Sequence, residues 1–280
     1  MKDILTGNQQ EIQSYIAGLF DAEGWFTFEK QKRKYWNPII GFVNTNSKII
    51  DCYINFLKLN EIKFHLTIRK RKSWYRIQTS IFIKGDPQVS RWLKLINPKL
   101  VIKKYQSEII KESLKIEPKL RQNYKESFQS SLEKEKISTM KIDKYWLMGF
   151  WEGDGSATII KRNYKGERTK YIPRIRFFTT SQTGKNSIQR FFENKKIPHH
   201  IQRFDKNRNK PKYVISILGL KRCFKFCKRF ETIDLNGKIA IIKDFCERRL
   251  SLSNSRPYSD LDILDYQRLK ILNGHTSDHF

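Results

Sequence analysis

Residues 16–24 read IAGLFDAEG, and residues 147–155 read LMGFWEGDG. In the first stretch Ile16, Leu19 and Phe20 recur at helical spacing; Leu147, Phe150 and Trp151 do the same in the second. Each predicted helix ends in acid, Asp21 and Glu23 in one and Glu152 and Asp154 in the other, with Gly24 or Gly155 following. A helix C-terminus carries partial negative charge, so carboxylates in its last turn are unfavourable unless something positive meets them. The same costly arrangement, written twice in one chain, calls for a common cause.

Outward from these stretches the chain repeats. Aligning Gly24 with Gly155 gives an offset of 131 residues and places Gly18 on Gly149 and Glu23 on Asp154. The correspondence resumes at an offset near 135, with Pro38 on Pro173, Phe56 on Phe191, Ile62 on Ile197, Leu100 on Leu235 and Lys103 on Lys238. One longer hairpin in the second copy accounts for the drift. Two matching halves predict a pseudo-twofold molecule. The first half spans 1–112, the second 143–250, and the polar stretch 113–142 reads as their linker. Residues 251–280 form an extension without a counterpart, in which SDLDILDYQRLKILNG (259–274) predicts a capped amphipathic helix from Ser259 to about Asn273, ended by Gly274.

Within each half, helical and period-two patterns alternate. In PRIRFF (173–178), Ile175 and Phe177 face one way and Arg174 and Arg176 the other. In WYRIQTSIFI (74–83), Tyr75, Ile77, Thr79 and Ile81 share a face opposite Arg76 and Gln78. These patterns predict sheets with one face in a core and one basic face. Helical stretches are expected at about 47–59, 104–115, 186–195 and 238–250. The fold class is therefore α+β: two pseudo-symmetric halves, each reading helix, hairpin, helix, hairpin, helix.

The 280 residues include 56 Lys and Arg against 28 Asp and Glu, a formal charge of +28 and a sequence pI near 10.0. Such an excess makes a polyanion the default partner. Basic loops recur at matching places in both halves, mixing cations with Asn and Tyr. From them and the strands we take as candidate DNA contacts Lys30, Lys32, Arg33, Lys34, Arg69, Arg71, Arg76 and Gln78 in the first half, and Lys161, Arg162, Arg174, Arg176, Arg203, Arg208 and Lys210 in the second. Cations hold phosphates, while Arg and Gln on a strand reach base edges. No run approaches the roughly 18 apolar residues of a membrane span. The opening MKDILTGNQQ lacks the apolar core of a secretory signal. The four cysteines read as reduced packing residues, and the five histidines show no repeated placement.

Each acidic helix also carries a stripe of small residues, Gly18 and Ala22 in one and Gly149 and Gly153 in the other. Small residues four apart let two helix backbones approach closely. A glycine inside a helix costs about 1 kcal/mol, so its recurrence points to the two helices packing together. If they lie parallel, Glu23 and Asp154 arrive side by side. Their repulsion is relieved by basic side chains or by a divalent cation held by carboxylate, backbone carbonyl and water, and hard oxygen ligands favour Mg²⁺.

IAGLFDAEG and LMGFWEGDG resemble the paired signatures of the LAGLIDADG homing endonucleases in their single-chain, two-motif form, and the similarity runs from Tyr15 to Arg249. The resemblance implies two αββαββα halves whose antiparallel sheets form a saddle over double-stranded DNA. It implies a site-specific endonuclease, working as a monomer, that makes a metal-dependent double-strand break with short 3′ overhangs at a long asymmetric target and so promotes mobility of its intron or intein. It makes Glu23 and Asp154 the metal-binding acids, adds backbone carbonyls at Ala22 and Gly153, and places Lys103 and Lys238 near the metals. Asp21 and Glu152, two positions earlier, fall where structural contacts are made. Mg²⁺ is the implied cofactor, with Mn²⁺ able to replace it and Ca²⁺ a non-cleaving substitute. Met148 stands where alanine is usual, and the unlike acids imply unequal sites. An intron RNA maturase, with or without residual cleavage, is the alternative; retention of both acids favours the nuclease. The Lys-, Asn- and Ile-rich composition suits an AT-rich genome, in an organelle (mitochondrion or chloroplast) or a bacterial cytoplasm.

Overall fold

Asn8 opens the first helix by accepting a hydrogen bond from Gln10 N on its side chain. This helix, α1 (Gln9–Glu23), is buried from Ser14 to Asp21 and runs directly into β1 (Gly24–Gln31). Gly24 is extended rather than left-handed; a glycine is needed there because the Phe20 ring occupies the place of a Cβ. Next come β2 (Tyr35–Asn44), α2 (Ser47–Leu59), β3 (His65–Arg69), β4 (Gln78–Lys84), α3 (Asp86–Ile96), a 3-10 turn at Asn97–Lys99 and α4 (Lys104–Ser113). The structure is a computed structural model that describes residues 8–31, 35–70, 77–133, 140–163, 169–205, 211–230, 233, 237–252 and 257–273.

The four strands form one antiparallel sheet in the order β1-β2-β4-β3. Alternation sends Phe26, Phe28, Ile40 and Phe42 to the helix-covered face. There Trp92 packs on Phe20 and Phe26, Phe42 stacks on Tyr53 at 4.2 Å, and Trp92 Nε1 donates to the Tyr53 hydroxyl at 3.0 Å. Ile77, expected to share the buried face of Ile81, is 54% exposed because it precedes the first paired residue of β4. The polar stretch 113–142 is partly helical: a 3-10 turn at Pro118–Leu120 leads into α5 (Gln122–Glu133). Phe128 of α5 meets the ring of Phe28 at 5.7 Å, and the buried Arg121 forks onto Asp86, with Nη2 to Oδ2 at 2.6 Å.

The elements then recur: α6 (Lys144–Asp154), β5 (Gly155–Arg162), β6 (Lys170–Thr179), α7 (Gln182–Asn194), β7 (His200–Phe204), β8 (Lys212–Leu218), α8 (Leu220–Phe230) and α9 (Lys238–Ser251). The second sheet runs β5-β6-β8-β7, the same topology. Seven residues join β5 to β6 where three join β1 to β2, which accounts for the drift from 131 to 135. Ile175 and Phe177 are fully buried, with Arg174 and Arg176 on the other face of the strand. Two helices go beyond the expected order, α3 and α8. Each has a sequence signal: Pro87 in the first turn of α3 ahead of Val89, Trp92, Leu93 and Ile96, and in α8 the buried set Cys223, Phe226, Cys227 and Phe230.

By its contacts the chain divides into two compact units, residues 1–153 with 181–187, and residues 154–180 with 188–280. The second contains α10 (Asp260–Leu272), which starts on Ser259 with a capping box to Asp262 and ends at Asn273; Gly274 lies outside the described residues. Asp262 and Asp265 of α10 pair with Arg248 and Arg249 of α9, and Asn273 Nδ2 donates to the Ala157 carbonyl of β5 at 2.7 Å. All four cysteines are buried thiols outside any disulfide, and burial pushes the Cys223 thiol up to about 12. Among the described residues no helix is long and apolar enough to cross a membrane.

Candidate active site and nucleic-acid interface

Within the first unit α1 packs directly on α6. A Cβ on Gly18 would lie 2.0 Å from the Trp146 carbonyl oxygen, and one on Gly149 would lie 2.0 Å from the Tyr15 carbonyl oxygen. Gly18 is the counterpart of Gly149, and Tyr15 of Trp146, so the contact is reciprocal, as a twofold relation demands. Near the C-terminal end, a Cβ on Gly153 would meet Ala22 Cβ at 2.5 Å and Glu23 Cγ at 2.9 Å. Matching positions meet all along the seam, so the helices run parallel. Gly18, Ala22, Gly149 and Gly153 all lie at this contact. At the other end Ser14 Oγ donates to Asp143 Oδ2 at 2.7 Å, while Asp143 Oδ1 caps α6 through the backbone N–H groups of Tyr145 and Trp146.

Asp21 shows how one acid is tolerated at a helix end. Its carboxylate accepts from the backbone N–H groups of Val101 (2.8 Å), Ile102 (3.2 Å) and Lys103 (2.8 Å), and from Trp146 Nε1 at 3.0 Å. The Lys103 ammonium donates to the carbonyls of Phe20, at 3.0 Å, and of Asp21. It therefore sits on the negative end of α1, which has no basic residue of its own in the last turn. Burial raises the Asp21 carboxyl above its ordinary value, opposed by Lys103 and the backbone donors. Asp21 is a tie between α1, the loop before α4, and α6. Glu152, its counterpart, is likewise buried.

Glu23 is only half-buried, and its Oε1 accepts from Asn44 Nδ2 at 3.2 Å. Asp154, the residue after Gly153, is also half-buried. Lys103 caps the start of α4; Lys238, its counterpart, is the first residue of α9, after Gly237 in left-handed backbone. Among the described residues no three His, Cys, Asp or Glu side chains gather as a self-sufficient metal site.

The second sheet carries the clearest anion-seeking surface. Arg174 and Arg176 lie on its outer face, in cross-strand rows with Thr158 and Leu218, and with Ser156 and Ser216. Arg176 Nε donates to Ser156 Oγ at 3.1 Å, and its guanidinium lies 5.0 Å over the Phe178 ring. Arg174 Nε is buried and has no hydrogen-bond partner. Burial holds both guanidinium groups below their usual range, with Arg162 adding to the effect at Arg174 and Arg174 at Arg176. Lys30, Arg69, Lys161, Arg162 and Arg203 are exposed on strands, and Gln78 is half-exposed at the start of β4. Arg203 differs in pairing with Asp205 at 2.8 Å. Lys32, Arg33, Lys34, Arg71, Arg76, Arg208 and Lys210 lie outside the described residues.

No family profile matches the sequence, and no curated protein matches it. Solved structures do. The meganuclease I-SmaMI bound to uncleaveable DNA superposes with a TM-score of 0.66 at 15% identity, covering 95% of this chain and 98% of that one. The LAGLIDADG meganuclease I-CpaMI bound to uncleaved DNA gives 0.67 at 12% identity, over 95% and 99%. The I-LtrWI LAGLIDADG homing endonuclease bound to target DNA gives 0.65 at 14% identity, over 97% and 99%. This chain has the single-chain LAGLIDADG fold. At such identities the likeness is one of architecture, and it extends over both halves.

Within this LAGLIDADG fold several residues of the site escape sequence reading. Trp146, Asn44, Ser14 and Asp143 each reach a motif residue or the opposite motif helix across a large separation in the chain. Only Asp143 leaves a local trace, as an N-cap residue ahead of a helical stripe.

Proposed function

We propose that this protein is a site-specific DNA endonuclease that cuts both strands of a duplex at the ends of its two motif helices. The reading is carried by the reciprocal seam, which sets the glycine beside Asp154 against the side chain of Glu23. The buried Arg174 Nε on the outer sheet face, which has no hydrogen-bond partner, supports a polyanionic ligand. The structural neighbours that are described with a partner are described with DNA, so nothing in them favours intron RNA.

The donor set suits a hard divalent cation: two half-buried carboxylates, Glu23 and Asp154, with the carbonyls of Ala22 and Gly153 beside them. Water and DNA phosphate would complete the shell. Of the similar structures, one is I-SmaMI bound to an uncleaved DNA target in the presence of calcium ions. When bound, Mg²⁺ would acidify the attacking water and offset charge on the scissile phosphate. Glu23 and Asp154 would hold the cation, and Asn44 orients the Glu23 carboxylate. Lys103 neutralises the end of α1 so that Glu23 is tolerated there. Arg174 and Arg176 hold the duplex. One chain supplies both acids, so on this reading the enzyme works as a monomer; short 3′ overhangs and mobility of its intron or intein are what the resemblance to the LAGLIDADG homing endonucleases adds to the proposal. Selection of cleaved molecules from a randomised duplex library tests the reading: a discrete, long, asymmetric target cut on both strands is expected. Cleavage without sequence preference, or of RNA alone, would overturn it.

A further inference from the structure

Residues 220–230, the whole of α8, read LKRCFKFCKRF. The inner side is core: Phe226 lies 6.1 Å from Phe177 of β6, and Cys223 Sγ is 3.4 Å from the Pro173 carbonyl. The exposed positions are all cationic, namely Lys221, Arg222, Lys225, Lys228 and Arg229. The helix contains no acidic residue, and none of the five enters an ion pair among the described residues. Arg229 Nη1 donates to the Lys195 carbonyl at 3.3 Å, which brings the exposed Lys195–Lys196 turn to the end of the same surface.

This concentration works against the helix. Lys225 stands three or four residues from each of the other four cations, and each such like-charge pair costs about 0.2–0.5 kcal/mol. The fold does not ask for it: α3, the counterpart of α8, has two cations and one acid, and its Arg91 pairs with Glu61 at 3.2 Å. Solubility does not ask for it either in a chain of net charge +28. The surface is also distinct from the one already described. Phe177 and the α8 core lie on one face of the second sheet, Arg174 and Arg176 on the other.

We propose that the outer face of α8 is a second binding surface for duplex DNA, contacting phosphates alone, so that one chain holds one duplex on its sheets and another segment on this helix. The proposal rests on the sheet face binding DNA. The chemistry of the face selects the partner. Its exposed residues include no Asn, Gln, Ser or Thr to read a base edge or a ribose 2′-hydroxyl. Phe224, the one ring of α8 outside the buried set, is itself half-buried and does not stand out as a stacking platform. Point charges along about 12 Å of rigid helix match a regular phosphate backbone. A lipid surface is a poor fit, since the apolar side of α8 is already buried in the core. Holding two segments lets the protein pass between stretches of DNA without full release.

The test uses the full chain, a fluorescent DNA duplex, and beads carrying a second duplex of unrelated sequence, without Mg²⁺. Binding of the fluorescent duplex is read by anisotropy and bridging by its capture on the beads; mass photometry gives the stoichiometry. Wild type should capture the fluorescent duplex and form particles of one protein with two duplexes. The exposed variant K221Q/R222Q/K225Q/K228Q/R229Q should bind one duplex normally by anisotropy yet lose capture by at least about tenfold, and the salt slope of the second binding step should flatten by about 4. Normal anisotropy without capture by wild type, capture undiminished in the variant, or preferential capture on RNA-duplex beads would overturn the proposal and leave the nuclease reading standing. Absence of any anisotropy change would instead defeat the nuclease reading itself.

Discussion

The carbonyl oxygen of Trp146 lies 2.0 Å from where a Cβ on Gly18 would be, and the carbonyl of Tyr15 stands in the same relation to Gly149. The obstacle in both cases is backbone, which cannot swing aside as a side chain can. Gly18→Ala and Gly149→Ala should each force the helices apart and destabilise the chain by about 1–3 kcal/mol, as overpacking does, despite the better helix propensity of alanine. Urea denaturation measures this. Unchanged or increased stability would mean the helices do not touch at these points.

Asp21 and Glu23 are two residues apart yet should respond in opposite ways. Asp21→Asn turns an amide donor toward donors that the carboxylate now satisfies, and should cost about 2–4 kcal/mol of stability. Glu23→Gln, at a half-buried position, should leave stability within about 0.5 kcal/mol while removing cleavage. Equal stability losses in the two variants would contradict the division of labour.

Among the described residues Arg174 and Arg176 have no acidic partner, so they contribute to binding more than to folding. The R174Q/R176Q variant should keep or gain thermal stability while its DNA affinity falls. Titration at several salt concentrations should show a log–log slope shallower by about 2, one unit for each phosphate that is no longer neutralised. An unaltered slope would place the phosphates elsewhere.

The C-terminal helix is tied by charge. Asp262 closes the capping box with Ser259 and faces Arg248 and the buried Arg249. Asp262→Ala removes the buried carboxylate that faces both Arg248 and Arg249 and should cost about 3–5 kcal/mol. Calorimetry that finds a loss below about 1 kcal/mol would show α10 to be an accessory and not part of the folded second unit.

Much of the fold is legible in the sequence because the decisive signals are local or repeated. The 3.6 period of Ile16, Leu19 and Phe20, the small residues at four-residue spacing, and the alternation in PRIRFF each encode a direction in space that the neighbouring backbone alone determines. The duplication doubles every weak signal. What stays hidden is non-local. Nothing in the sequence around Asp21 says that Trp146 will donate to it, and Asn44 reaches Glu23 only because β2 returns along β1. Helices α3 and α8 are obscured for another reason: each spans 11 residues and starts two positions after a strand ends, so its apolar stripe runs on from the strand's own pattern. Arg121 is a similar case, a cation in a polar stretch that packing against Asp86 turns into a buried residue.

The most direct measurement is double-strand cleavage of the selected target duplex in Mg²⁺ by wild type, Glu23→Gln and Asp154→Asn, with binding of the same duplex followed in Ca²⁺. Loss of double-strand cutting by about a hundredfold or more in both variants, with affinity changed less than about threefold, is the expected result. Full cutting by either variant would remove that acid from the reaction and with it the claim that the paired ends of α1 and α6 form the active site.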